Sequence, residues 1–113
     1  MNFRLNKYQL EKYSRQIILK DVGALGQKKI IKSKVLIVGM GGLGCPVAEF
    51  LTRAGIGNIG IVDFDKVDLS NIHRQSLFNL KDLKKSKVIA AKNKLNKINT
   101  CLLYTSDAAD ELC

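Results

Sequence analysis

Three glycines at G-x-G-x-x-G spacing, Gly39, Gly41 and Gly44, with Gly42 between them, lie within the stretch LIVGMGGLGCP. Glycines placed this way let the backbone approach phosphate oxygens, and a helix starting beyond them offers free N–H groups and a positive dipole end. An acid about 20 residues further on completes the pattern. Asp63 fills that place at the end of NIGIVDFD, where a carboxylate can accept hydrogen bonds from ribose hydroxyls. Up to this point a redox dinucleotide and ATP fit equally well. The next loop, DFDKVDLSNIHRQ, separates them, because Ser70, Asn71, Arg74 and Gln75 follow directly on the acid, and Lys87 stands thirteen residues after Arg74. Hydride transfer has no evident use for an Arg and a Lys beside the ribose acid. A site that must neutralise a pentavalent α-phosphate and a departing pyrophosphate does.

The elements that must hold these residues can be read from hydrophobic pattern. KVLIVG, from Lys34, is an unbroken aliphatic run and predicts a strand buried on both faces of a parallel sheet. Helical spacing of Leu43, Val47, Phe50 and Leu51 predicts a helix over 42–54, with Pro46 tolerated near its first turn and Gly55 and Gly57 ending it. A second buried strand is expected over Asn58 to Asp65. A third helix over 82–98 carries the stripe Val88, Ala91, Leu95 and Ile98. Upstream, Asn6 is a candidate N-cap for a short helix over 6–14. This order of elements is the opening half of an α/β fold, a Rossmann-like doubly wound parallel sheet, here truncated.

Composition removes other classes. No apolar run approaches the roughly 18–20 residues that span a bilayer. The N-terminus lacks the continuous apolar core of a signal peptide. Three cysteines, at positions 45, 101 and 113, form no CxxC pair and no even disulfide framework, which fits the reducing cytoplasm. The net charge of +9 invites a nucleic-acid reading. The lysines nevertheless cluster on helical stretches without interleaved aromatics, which reads as solvated faces instead. Cys45 is expected to pack rather than react, and His73 to be an ordinary loop residue.

YSRQIIL, VLIVGMGGLGCP, AGIGNIGIVDFDKVDLSNIHRQ and KSKV together resemble the ThiF/MoeB/HesA adenylyltransferases, relatives of ubiquitin-activating enzymes, over roughly residues 6 to 99. The resemblance implies use of Mg²⁺ and ATP to adenylate the C-terminal Gly-Gly carboxylate of a ubiquitin-like sulfur-carrier protein, for thiamine or molybdopterin-type sulfur transfer. It implies that Gly42 lies in the nucleotide loop, that Asp63 holds the ribose, and that Ser70 through Arg74 surround the phosphates, with Asn71 and Arg74 foremost. Lys87 then contacts phosphate. Arg15, in YSRQ, then reaches the ATP site of a neighbouring subunit, which implies a homodimer. Asp65 fits the family pattern, either as a ligand or as a residue that shapes the loop. The magnesium-associated Asp, a sulfur-handling cysteine and a structural Zn²⁺ site would lie beyond residue 100. Within the family, tRNA-modifying members are the alternative; outside it, an NAD-dependent oxidoreductase or a basic nucleic-acid module.

The end of the chain departs from this pattern. All 19 Lys and Arg precede residue 101. The fold pattern calls for a third parallel strand here, but CLLYTSDAADE resembles a conceptual translation of a transposase sequencing adaptor; the alternative is a genuine short strand followed by an acidic helix. The expectation is therefore that residues 1–100 are the N-terminal part of an ATP-binding domain and 101–113 a non-native tail. Two strands with poorly covered apolar faces would leave such a fragment inactive and aggregation-prone on its own.

Overall fold

The computed structural model of the chain describes residues 4–99 and the backbone of Leu102–Ser106. Helices α1 (Lys7–Lys12), α2 (Ser14–Ile17) and α3 (Gly23–Lys32) lead into strand β1 (Lys34–Val38). Helix α4 (Gly44–Ala54), strand β2 (Asn58–Val62), helix α5 (Lys87–Ile98) and strand β3 (Leu102–Ser106) follow. The three strands form one parallel sheet in the order β1-β2-β3. Lys34 pairs with Asn58, and Asn58 with Leu102. Parallel pairing brings the carboxyl ends of β1 and β2 to the same edge, the usual ligand side of such a sheet.

On one face of the sheet, Ile37, Ile59 and Ile61 are buried against Cys45 and Ala48 of α4 and Val88, Ala91 and Leu95 of α5. Each fully buried aliphatic side chain contributes about 1.5–3 kcal/mol. The α5 stripe is the one its spacing predicts, but the helix starts at Lys87 rather than at 82. Lys84 takes a left-handed backbone (φ 69°), and the Ser86 side chain caps the helix by accepting from the amide of Ile89 at 3.4 Å. At the other end of the chain, Asn6 is the cap expected of it. Its side chain accepts from the Gln9 amide at 2.8 Å, and the Gln9 side chain accepts from the Asn6 amide at 2.9 Å.

Two expectations need correction. β1 is not buried on both faces, since Leu36 is 51% and Val38 75% exposed. On α4, the apolar residues Leu43, Val47 and Phe50 face outward. The helix meets the sheet through Cys45, Ala48 and Thr52 instead, because small side chains let its axis approach closely. Leu102–Ser106, within the expected tail, form β3, whose backbone groups pair with the free edge of β2. The rest of the tail, 107–113, lies outside the described residues.

The lead-in helices are fastened to the amino-end edge of the sheet. The carbonyl of Ala54, in the last turn of α4, accepts from Gln27 Nε2 at 3.0 Å and from Gln16 Nε2 at 3.1 Å. Helix-terminal carbonyls lack intrahelical partners, and two carboxamides supply them here. Asn99 Nδ2 donates to the Tyr13 hydroxyl and to the Thr52 carbonyl, both at 2.9 Å. Gly55 closes α4 at φ 104°, and a Cβ there would collide with the Tyr13 ring.

Candidate functional site

The glycine loop leaves β1 through Gly39, whose φ of 94° suits only glycine at low strain. The chain then doubles back so tightly that a Cβ on Gly44 would overlap the carbonyl oxygen of Gly39. Gly44 is therefore fixed by close approach and Gly39 by conformation. The amides of Gly41, Gly42 and Leu43, just ahead of α4, donate to no group among the described residues. Free N–H groups at a helix start are the donors that a phosphate requires.

Asp63 anchors the loop from β2. Its carboxylate accepts from the Met40 amide at 2.6 Å and from the Asp65 amide at 2.7 Å, one bond to each oxygen. Each oxygen keeps a further lone pair, so the group can still accept from hydroxyls. Because Met40 belongs to the glycine loop, the acid and the loop are one rigid unit.

Beyond Asp65 the chain forms a short antiparallel ladder with the segment entering α5. The Val67 amide donates to the Lys85 carbonyl at 2.8 Å, the Lys84 amide to the Val67 carbonyl at 2.9 Å and the Lys87 amide to the Asp65 carbonyl at 3.0 Å. Val67, 3% exposed, pins this ladder into the core. The ladder sets Lys87 beside Asp65, with Nζ 3.9 Å from Asp65 Oδ2. The lysine is 5% exposed although charged, while the side chain of its acidic partner is 76% exposed. A buried ammonium with so distant and solvated a counter-ion is poorly compensated by the protein alone. Asp65, Asn71 and Lys87 line one cleft of about 560 Å³, together with Phe64, Lys66 and Asp68.

The loop after Asp68 is built on that residue. Asp68 Oδ1 accepts from the Ser70 amide at 2.9 Å and from the Ser70 hydroxyl at 3.0 Å, shaping the single 3₁₀ turn Leu69–Asn71. These bonds, the amide first and the hydroxyl second, hold the Asp68 carboxyl below its ordinary range, with a further contribution from the Lys87 charge. The Asn71 carbonyl then accepts from the amides of Arg74 (3.2 Å) and Gln75 (3.0 Å). Leu77 and Phe78 bury the far end of the loop. The result carries Arg74 across the glycine loop, its Cδ and Cγ at 3.5 and 3.6 Å from where a Cβ on Gly42 would lie.

Of the residues singled out from sequence, the structure thus brings together Gly39, Gly41, Gly42, Gly44, Asp63, Asp65, Asn71, Arg74 and Lys87 at the carboxyl edge of the sheet. Ser70 is present with its hydroxyl committed to Asp68. Arg15 is not part of this group. Its neighbour Gln16 is bonded to Ala54, the residue at the opposite end of α4 from Gly44, and 11 helical residues span about 16 Å. Cys45 is fully buried with Sγ 3.5 Å from the Met40 carbonyl, and burial pushes its thiol pKa up, partly offset by a hydrogen bond with the Leu77 backbone. It packs, as expected. His73 is exposed. Sequence reasoning did not anticipate the burial of Gln75 (3% exposed) or of Lys87, because burial of a polar residue leaves no periodic signature in a loop or at a helix start.

Comparison with known proteins is consistent with this geometry. The chain is 46% identical over 93 residues to the "Adenylyltransferase and sulfurtransferase MOCS3" of Xenopus laevis, an alignment covering 82% of this chain and 21% of that protein. It is 42% identical over 96 residues to the "Sulfur carrier protein adenylyltransferase" of Thermus thermophilus, covering 85% and 35%. The chain therefore spans between about a fifth and a third of the length of these relatives. Among solved structures, Escherichia coli MccB crystallised with ATP superimposes with a TM-score of 0.80 at 32% identity, over 93% of this chain and 33% of that one. The family model described as the ThiF family matches residues 13–108, and with most of its length accounted for in this way the chain belongs to the ThiF family.

Proposed function

We propose that this chain forms the nucleotide-binding part of an enzyme that consumes ATP to adenylate the C-terminal carboxylate of a ubiquitin-like sulfur-carrier protein. The observation that carries the reading is a pair of cations beyond the strand ends: Arg74 lying across Gly42, and Lys87, buried, lining the neighbouring cleft with Asp65 and Asn71. A redox dinucleotide is bound and released whole and needs neither. The names of the relatives, one a sulfur carrier protein adenylyltransferase, and the ATP bound by MccB support the substrate and the nucleotide.

In this reading the ribose hydroxyls donate to Asp63, and the free amides of Gly41, Gly42 and Leu43 receive phosphate oxygens. The carrier carboxylate attacks the α-phosphorus. A new carboxyl O–P bond forms, the bond from the α-phosphorus to the bridging oxygen breaks, and pyrophosphate leaves with the electron pair. Arg74 and Lys87 offset the charge that builds on the phosphoryl oxygens, and Asn71 positions them from the cleft wall. Arg15, remote from the site of its own chain, serves the site of a second copy, so the working unit is a homodimer. Magnesium accompanies ATP in such chemistry, but no group of three acidic, His or Cys side chains among the described residues could hold a metal ion. The same holds for structural zinc.

The reading is tested by mixing the full-length protein with ATP or with NADH and following thermal unfolding. Stabilisation by ATP and not by NADH is expected. The reverse result would assign the glycine loop to a redox cofactor.

A further inference from the structure

Arg15 stands between two fastened neighbours. Tyr13 is 6% exposed, and its hydroxyl accepts from Asn99 Nδ2 at 2.9 Å. Gln16 is tied to Gln27 and to the Ala54 carbonyl. Residues three apart at helical spacing share a face, so Tyr13 and Gln16 turn inward together and Arg15 is left on another side. Its side chain is exposed and makes no hydrogen bond or ion pair among the described residues. Helix α2, which carries it, has four residues, too few to hold a conformation without tertiary support. The place of Arg15 is therefore decided by what its neighbours hold.

The far end of that support is Asn99, buried at the close of α5 as its C-cap. Its carboxamide engages three elements at once. Nδ2 donates to the Tyr13 hydroxyl and, at 2.9 Å, to the Thr52 carbonyl near the end of α4, while Oδ1 accepts from Lys12 Nζ of α1 at 2.6 Å. An apolar side chain could fill the same space, but it could not orient Tyr13 or Lys12. A buried carboxamide with all its bonds made does so without a desolvation penalty left over. Helices α4 and α5 begin at the candidate site, with Gly44 and Lys87, and end at this junction. Two rods thus hold the lead-in, and Arg15 with it, at a set distance from the site of its own chain.

We propose that Asn99 is a positioning residue for Arg15: by locking Tyr13 and Lys12 against the ends of α4 and α5, it presents the guanidinium to the ATP site of a second copy of the chain. Asn99 itself touches no nucleotide. The assignment rests on the reading that Arg15 serves the site of a second copy.

The test uses the full-length protein, with heterodimers isolated through two different tags and ATP–pyrophosphate exchange with a Gly-Gly-ending carrier as the readout. Asn99→Leu alone is expected to lose about tenfold or more, the scale of one to several neutral hydrogen bonds, and no more than Arg15→Ala loses. It is then paired with an Arg74→Ala chain, whose site is inactive but whose lead-in is intact. Exchange should return to about half the parental value per dimer, because one of two equivalent sites is complete. A structural defect of the Asn99→Leu chain would stay in that chain's own site, so a heterodimer no more active than the mean of its homodimers overturns the proposal. So does parental exchange by Asn99→Leu itself. Should Asn99→Leu fail to fold, Tyr13→Phe, which removes the same bond and keeps the ring, takes its place. A loss of about three- to tenfold, relieved by pairing with Arg74→Ala, is expected of it, and parental exchange overturns the assignment. Arg15→Ala paired with Arg74→Ala is the control. If that pair stays inactive, the reading of Arg15 falls and this assignment with it; if that pair recovers and the Asn99→Leu pair does not, only the Asn99 assignment falls.

Discussion

Arg74 and Lys87 deliver positive charge in different ways. Arg74 is exposed and lies along the glycine loop by its stem, so its guanidinium is free to follow a phosphate. Lys87 is buried at the first position of α5, where the helix dipole disfavours a cation and its only ion pair among the described residues is a 3.9 Å one to an exposed acid. Its place is justified by an anion that comes with the substrate. Replacing a poorly compensated buried ion by an apolar side chain of similar volume is often neutral or stabilising. Lys87→Met in the full-length protein should therefore leave the unfolding midpoint unchanged or raised, while pyrophosphate exchange falls on the order of 10²–10³-fold. Exchange at parental rate would remove Lys87 from the site.

At the scale of elements, the site is the edge where β1 and β2 end, plus one loop folded on Asp68. The Asp68 carboxyl is held below its ordinary range by Ser70, so it favours the folded turn at every pH above the ordinary carboxylate value near 4, and that contribution is lost as pH falls through the lowered one. A carbon-13 NMR titration should place the Asp68 midpoint below that of a free Asp, and Ser70→Ala should move it partway up, since the amide bond remains. An unshifted midpoint would mean that the turn is not built on this carboxylate. Much of this edge could be read beforehand: G-x-G-x-x-G after an aliphatic run, an acid ending the next, Val88, Ala91, Leu95 and Ile98 at helical spacing. What could not be read was which face each element shows. Leu43, Val47 and Phe50 have the spacing of a core stripe, but α4 packs through Cys45, Ala48 and Thr52, because close approach favours small residues over large ones. The ladder that carries Lys87 to Asp65 was also invisible, being made of backbone bonds around a residue, Lys84, with a left-handed conformation.

At the scale of the whole molecule, large apolar side chains among the described residues remain in water on several surfaces. Leu36 and Val38 stand on the open side of the sheet, and Leu43, Val47 and Phe50 on the outer side of α4. Exposed groups of this kind associate. The 113-residue chain by itself should therefore aggregate or unfold without a sharp transition, and a cooperative melt with ATP–pyrophosphate exchange would contradict this. The proposal that residues 101–113 are not native is tested separately by a genomic read across codon 100. A different continuation is expected, and the same tail followed by a stop codon would refute it. The cation that crosses the glycine loop is probed by ATP–pyrophosphate exchange with the full-length protein and a Gly-Gly-ending carrier, comparing the parent with Arg74→Ala. Carrier-dependent exchange is expected, falling on the order of 10²–10³-fold in the variant with its unfolding midpoint unchanged; near-parental exchange by Arg74→Ala would remove the arginine from the chemistry.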